Sequence, residues 1–428
     1  MIAPPNERLG MFTRINKIYN DYPRLFWIVV GTSFIDGIGG TLLFPFFALY
    51  ITQKFNVGMT QAGILLGMFA LFGLFGSMVG GALTDRFGRK QLILFGLVFS
   101  ALSTLSFGLV SDIRIMYPIA AIVGLIGSLS GPAHNAMIAD ILPEEKRQEG
   151  FGILRVVGNF AWIIGPSIGG LVAKYNFFYL FVIDAILSCI VAVIVYRLLP
   201  ETKPEVKHEA SAGQAESIWQ TVLGYRVVLR DFAFMAFIVA SIMMLIVYQQ
   251  AYGSLSVFLR DEHNIDAQGF GFLMTSSAIT VVLFQFGVSR WLRNKAPFLM
   301  MAFGTLFYMV GFTMFGLVSA YPLFVSAIVV ITMGEMIVVP VSQGLAANFA
   351  PEKMRGRYMA VFGLSWAIPQ TIGPGAAGYI MDNFNPNLVW YIGGVLCAVS
   401  ALSYYALHVR LREQTRFAPP PAEQPASA

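Results

Sequence analysis

Five ionisable side chains sit inside long apolar stretches of this sequence: Asp36, His134, Arg155, Asp184 and Glu335. An ionisable group in such a setting costs kilocalories unless it is paired or faces water, so each is a candidate for function. A carboxylate there can take up and release a proton, attract a cation, or alternate between the two. An imidazole titrates in the physiological range, although a lone His134 also reads as a simply hydrogen-bonded group. Asp36 has Gly37, Gly39 and Gly40 beside it, which leave room for a ligand, and Ser33 close by as an alternative partner. Glu335, Val339 and Gln343 recur at i, i+4 and i+8 and so share one helix face. Arg155 is either a counter-ion for one of these carboxylates or a side chain snorkelling to the nearer membrane surface. Phe44, Phe47, Met243, Met244, Tyr248, Tyr252 and Trp366 could wall a cavity that repacks around varied apolar cations. No nucleophile–base pair, HExxH-type metal motif or phosphate loop accompanies them, so neither an enzyme nor a cofactor or metal site is expected.

These residues must be positioned by a membrane scaffold. Of 428 residues, 57% are apolar and only 12% charged, about half the charged share of a soluble domain. Apolar runs of about 20 residues bounded by charge recur along the chain, each long enough to cross a bilayer as a helix. Disordered, collagenous, secreted disulfide-rich and cytosolic classes are excluded, and the net charge of +5 is no nucleic-acid signal here. The expectation is an all-α membrane protein of twelve transmembrane helices, with a first span over 25–50, a seventh over 232–259 and an eleventh over 357–381. Cys189 and Cys397 lie within apolar runs and read as buried packing residues. No cleavable signal peptide is expected before the first span.

The Lys and Arg residues set the orientation. Apart from Arg155 within a span, all but Lys54, Arg114, Lys174 and Arg260 fall on the side that carries both termini, which the positive-inside rule makes cytoplasmic. The chain also repeats. At an offset of 208 residues, Pro143-Glu144 meets Pro351-Glu352, Arg147 meets Arg355, Gly165-Pro166 meets Gly373-Pro374, and Cys189 meets Cys397. Six-span halves of equal orientation form a parallel repeat. Glu335 falls opposite Gly127 and Gln343 opposite Asn135, so the repeat is broken by charge at a candidate site. The expected organisation is a cytoplasmic segment over 1–24, six-helix bundles over 25–199 and 229–410, a cytoplasmic linker over 200–228, and a disordered Pro/Ala-rich tail over 411–428.

Two motifs carry a resemblance. GGALTDRFGRK, residues 80–90, resembles the signature loop of the major facilitator superfamily. Gly152, Ala161, Gly165, Pro166, Gly169 and Gly170 form G-x8-A-x3-GP-x2-GG, which resembles the antiporter motif of its twelve-span proton-coupled drug exporters. Ala161 stands where that motif has its middle glycine. The arginine many members carry in span 4 would fall on Ala120, and the equivalent loop SRWLRNKAP at 289–297 lacks the acidic residue.

The resemblance implies the major facilitator fold, two pseudo-symmetric six-helix bundles with spans 1, 4, 7 and 10 around a central cavity. It makes Glu335, Asp36 and His134 the proton-coupling candidates, and Asp36, Asn135, Tyr248, Tyr252, Gln343 and Phe47 the substrate-binding ones. Asp184 would lie on a peripheral span, satisfied locally. Gly81, Asp85, Arg86, Gly88 and Arg89, with Asp140 at the end of span 4, would form a conformational latch between spans that holds the outward-facing state, or simply a topogenic basic loop. The span-5 glycines would let another helix approach closely or set which state leaks protons. The implied function is proton-coupled export of amphipathic or cationic small molecules (multidrug efflux) by alternating access. The alternative is a dedicated exporter or importer of one metabolite, such as a sugar, siderophore or lipid-like molecule. The expected partners are a small-molecule substrate, protons and membrane lipid, with no nucleic acid, in a monomer.

Overall fold

The computed structural model describes residues 19–203, 225–351 and 354–412, and every long element among them is an α-helix. These are α1 (Arg24–Phe55), α2 (Met59–Phe87), α3 (Arg89–Leu109), α4 (Ile113–Ile141), α5 (Glu144–Tyr175), α6 (Phe178–Leu198), α7 (Phe232–Gly253), α8 (Ala267–Leu292), α9 (Pro297–Phe315), α10 (Tyr321–Phe349), α11 (Arg355–Asn383) and α12 (Leu388–Leu411). Eleven are long and apolar enough to span a membrane; α11 matches them in length but carries Pro369 and Pro374.

Breaks occur where the sequence withholds backbone donors or offers competing side chains. Within α1 a 3₁₀ turn at Phe44–Phe46 holds Pro45, so the first span is longer than expected and runs on to Phe55. The helix α7 ends at a turn, and the chain continues past Ser254 as a short helix, Leu255–His263. There Gln250 donates to Ile246 O and accepts from the Ser254 hydroxyl, so a side chain replaces part of the interrupted ladder. The repeat is visible in the backbone too. Asn56 and Asn264, 208 residues apart, end their helices in the left-handed region at φ of 50° and 54°, a conformation asparagine tolerates.

The helices α1–α6 form one half and α7–α12 the other. Within the first, α1 packs on α5 and α6, α2 on α4, and α3 on α6; within the second, α9 packs on α10 and α12, and α7 on α12. The halves meet mainly through α2 against α11 and α5 against α8. Helices in lipid gain little from apolar burial against each other, so close approach through small residues decides where they join. A Cβ on Gly67 would stand 2.2 Å from the Thr371 carbonyl, and one on Gly271 2.6 Å from that of Pro166. Both are backbone atoms that cannot turn aside. Such approaches cluster toward the face opposite the chain ends. Toward the terminal face a Cβ on Gly81, Gly152 or Gly158 would have nothing within 4 Å.

In the expected linker the chain leaves helix after Leu198, Glu201 and Lys203 hydrogen-bond into the first half, and helix resumes over 225–230. One expectation is corrected. Cys397 is buried but Cys189 is exposed, beside apolar residues of α3 and α6. The antiporter glycines serve two neighbours: Gly165 and Gly169 seat against α1, and Gly170 against α8. Residues 1–18 and 413–428, which hold most of the expected N-terminal segment and the tail, lie outside the described residues, as does 204–224 of the linker.

Candidate functional site

The turn after Tyr248 points that residue, Gln249 and Tyr252 into a cavity of about 280 Å³ between the halves. Glu335 reaches it from α10, Trp366 and Gln370 from α11, Ser277 from α8, and Phe44, Asn159 and Trp162 from the first half. The aromatic walls interlock. Tyr248 stacks on Tyr308 with centroids 5.6 Å apart and meets Trp366 edge-on at 6.3 Å, while Trp162 crosses from α5 to meet Tyr252 at 5.2 Å. The Tyr248 and Tyr252 hydroxyls lie 3.2 Å apart. Tyr248 interacts electrostatically with the Glu335 carboxylate, and so does Arg155 from the other half. One carboxylate among π-faces with a cationic rival across the gap can hold an organic cation and release it on protonation.

Asp36 is elsewhere. It was expected in the same cavity as Glu335 but lines a separate one of about 490 Å³ within the first half, among α1, α3, α4 and α6. His134 and Asn135 line it too, with Ser100 and Ser103. Ser33 pairs with His134 Nε2 at 3.0 Å and with Val29 O, not with Asp36. Asp184, expected on the periphery, is buried at 7% exposure. Thr104 donates to it at 2.8 Å, it interacts electrostatically with Asp36, and a Cβ on Gly39 would lie 2.4 Å from its Oδ1. The inward orientation of α6 was illegible because its apolar residues surround it on every side.

Two further substrate candidates, besides Asp36 and Asn135, do not reach the Glu335 cavity. Phe47 is 5% exposed and packs edge-on against Phe69 and Phe107, so it is core. Gln343 shares the Glu335 face but lies two turns nearer the terminal face and is not among the lining residues. Conversely, Asn159, Trp162, Gln249, Ser277 and Gln370 line the cavity and were missed. Asn159 and Trp162 lie inside the antiporter motif, between the glycines that define it.

The signature loop is organised around Arg89. Its Nε donates to Asp140 at 2.9 Å, and its Nη1 lies 3.6 Å from Asp85, whose side chain is 80% exposed. Gly88 holds φ of +98°, which a side chain would strain, and Arg86 lies against the Phe87 ring. Glu201 was not anticipated. Its carboxylate accepts from the Arg89 and Lys90 amides at 2.8 and 3.1 Å, capping α3, and also from its own neighbours Thr202 and Lys203. Partial burial pushes this carboxyl up, but the four backbone donors outweigh it and hold it below the usual range. Lys203 in turn donates to Arg86 O.

The family model for the Major Facilitator Superfamily matches residues 29–374 and 250–427. The chain belongs to the major facilitator superfamily. A Na(+), Li(+), K(+)/H(+) antiporter of Planococcus maritimus is 29% identical over 360 residues, covering 78% of this chain and 84% of that protein. Multidrug resistance protein 2 of Bacillus subtilis is 28% identical over 66% of this chain and 70% of its own length. Among solved structures, the nucleoside transporter NupG superposes with a TM-score of 0.71 at 17% identity, covering 90% of this chain and 99% of that one. A POT family transporter in complex with 5-aminolevulinic acid gives a TM-score of 0.76 at 16% identity over 91% and 97%. This likeness fixes the fold of this major facilitator protein as an all-α, multi-pass membrane fold.

Proposed function

We propose that this protein is a proton-coupled antiporter that exports amphipathic or cationic small molecules, as a monomer with both termini cytoplasmic. The observation that carries the reading is Glu335, a single carboxylate set among Tyr248, Tyr252, Trp162 and Trp366 in a cavity that both halves build. The ionised carboxylate attracts a cation whose apolar part spreads over the rings. Protonation cancels the attraction and releases the cation, which makes proton entry and substrate exit alternatives at one group. Arg155 competes with the cation for the same charge and holds the ionised carboxylate when no cation is bound. With the terminal face cytoplasmic, as the Lys and Arg distribution favours, the hydrogen bonds between halves at the opposite face close the outer side in the present arrangement.

A second reading, exchange of alkali cations for protons, is favoured by the oxygen-rich cavity of Asp36, Ser33, Ser100, Ser103 and Asn135 and by the name of the Planococcus relative. Proteoliposomes carrying a pH-sensitive dye and an imposed pH gradient separate the two. Dissipation on adding organic cations, and none with Na⁺, Li⁺ or K⁺, supports the first. The reverse pattern transfers the function to the second cavity, and a response to anions alone sinks both.

A further inference from the structure

On the face opposite the chain ends, the first turn of α2 has no cap of its own. Its N-cap residue is Gly58, which offers no side-chain acceptor. The cap comes from the other half of the protein. The Asp382 carboxylate, in the last turn of α11, accepts from the Met59 amide at 2.8 Å, the Thr60 amide at 2.8 Å and the Thr60 hydroxyl at 2.6 Å. A Cβ on Gly58 would lie 2.3 Å from Asp382 Oδ2, so glycine is what admits the carboxylate.

The internal repeat shows that this arrangement is not a necessity of the fold. At the 208-residue offset Gly58 corresponds to Asp266, and Asp382 to Lys174. Asp266 caps its own helix, α8, accepting from the Gly269 amide at 2.8 Å. Lys174 bridges to Gln268 at 2.9 Å, the position equivalent to Thr60. One half therefore carries its cap within the chain that needs it, and the other has moved the cap across the boundary between halves. A self-supplied cap is indifferent to how the halves sit; a cap supplied by the other half exists only while this face is shut.

We infer that Asp382 is a state-selective latch: by capping α2 from α11 it stabilises the state closed at this face, and its release accompanies opening there. The partial positive charge and unpaired amides at a helix start favour a carboxylate, and separation of α2 from α11 would return Met59 and Thr60 to water. Asp85, at the far end of α2, is largely exposed in the same arrangement and pairs with Arg89 of its own half.

Spin labels at Gln53 and Glu262, in a background with Cys189 and Cys397 replaced by alanine, report the separation of the halves on this face. Asp382→Ala should raise the ratio of open to closed populations about tenfold, the scale of a partly enclosed carboxylate at a helix start. The decisive variant is Asp382→Ala/Gly58→Asp, which gives α2 an internal cap like that of α8 and so restores the helix start without the link between halves. It should recover thermal stability in detergent while the distances stay shifted, and it carries the test if the single variant folds poorly. A double variant with the parent distance distribution would show Asp382 to be a helix cap only, and an unchanged distribution in both variants would overturn the latch outright.

Discussion

Replacing Glu335 by glutamine removes one charge and leaves the shape of the cavity almost intact, so it isolates the electrostatic part of binding. A cation about 4 Å from a carboxylate gains roughly 4 kcal/mol at an effective dielectric constant near 20. Part of that is already spent on Arg155, which faces Glu335 from the other half, and part on stripping water from the ions. A net loss of about 1.5–3 kcal/mol remains, a weakening of organic-cation binding by roughly 10- to 150-fold. A neutral ligand of similar shape keeps its contacts with Tyr252, Trp162 and Trp366 and should lose less than about threefold. Transport in proteoliposomes gives the second readout: accumulation driven by a pH gradient should vanish, while exchange of a neutral ligand down its own gradient continues. Cation accumulation at the parent rate in Glu335→Gln would refute the assignment, and equal losses for cationic and neutral ligands would reduce Glu335 to a packing role. Arg155→Gln provides the opposite sign, since removing the rival charge should tighten cation binding and slow its release.

Asp36→Asn should leave organic-cation affinity at the Glu335 cavity within about twofold, because the two carboxylates occupy separate cavities; a proton-per-substrate count from dye and radiolabel together should fall if Asp36 couples protons, and an unchanged count would remove it from the scheme. Glu201→Gln should lower thermal stability in detergent by about 0.5–1 kcal/mol at neutral pH, a discounted value for a capping carboxylate near solvent. Its folded-state pKa is depressed, so the contribution is present above the usual carboxylate range and is lost as pH falls through the folded value. Parent and variant should therefore converge in acid, and a gap that persists there would contradict the cap. Phe47→Ala should destabilise by about 3–5 kcal/mol through the cavity left against Phe69 and Phe107, with substrate preference unchanged in a ligand panel.

Architecture was legible because each of its signals is redundant along the chain. Span length, the Lys and Arg bias and the 208-residue repeat each recur many times, so a misread residue changes little. The site was less legible, because which way a residue faces in a wholly apolar helix leaves no periodic trace. Asp184 shows this: α6 is apolar all round, so nothing in its sequence told that the carboxylate turns inward to Thr104 and Gly39. Phe47 is the converse, an aromatic residue at a plausible height that turns into core. Gln343 had the right face and the wrong depth. Asp382 could have been found from the repeat alone, since Gly58 stands where the other half has the capping Asp266, and a missing cap asks where its replacement comes from.

That last comparison extends to the cavities. The positions that hold the helices together are shared between halves: Gly165-Pro166 with Gly373-Pro374, and Asn56 with Asn264. The positions that could act on a ligand are not. Glu335 stands opposite Gly127, Tyr248 opposite Gly40, and Tyr308 opposite Ser100, so the second half supplies the carboxylate and the tyrosines of the cavity between the halves. Asp36 stands opposite Met244, Thr104 opposite Phe312, and Asp184 opposite Ile392, so the first half owns the oxygen-rich one. In the second half the corresponding space is filled by apolar side chains, Met244 and Phe312 both buried. Uncompensated carboxylates are costly at such depth, and duplicating each would have doubled that cost. Dividing them leaves each half with one chemical role, and the motion between halves is then the step through which the two roles can be coupled.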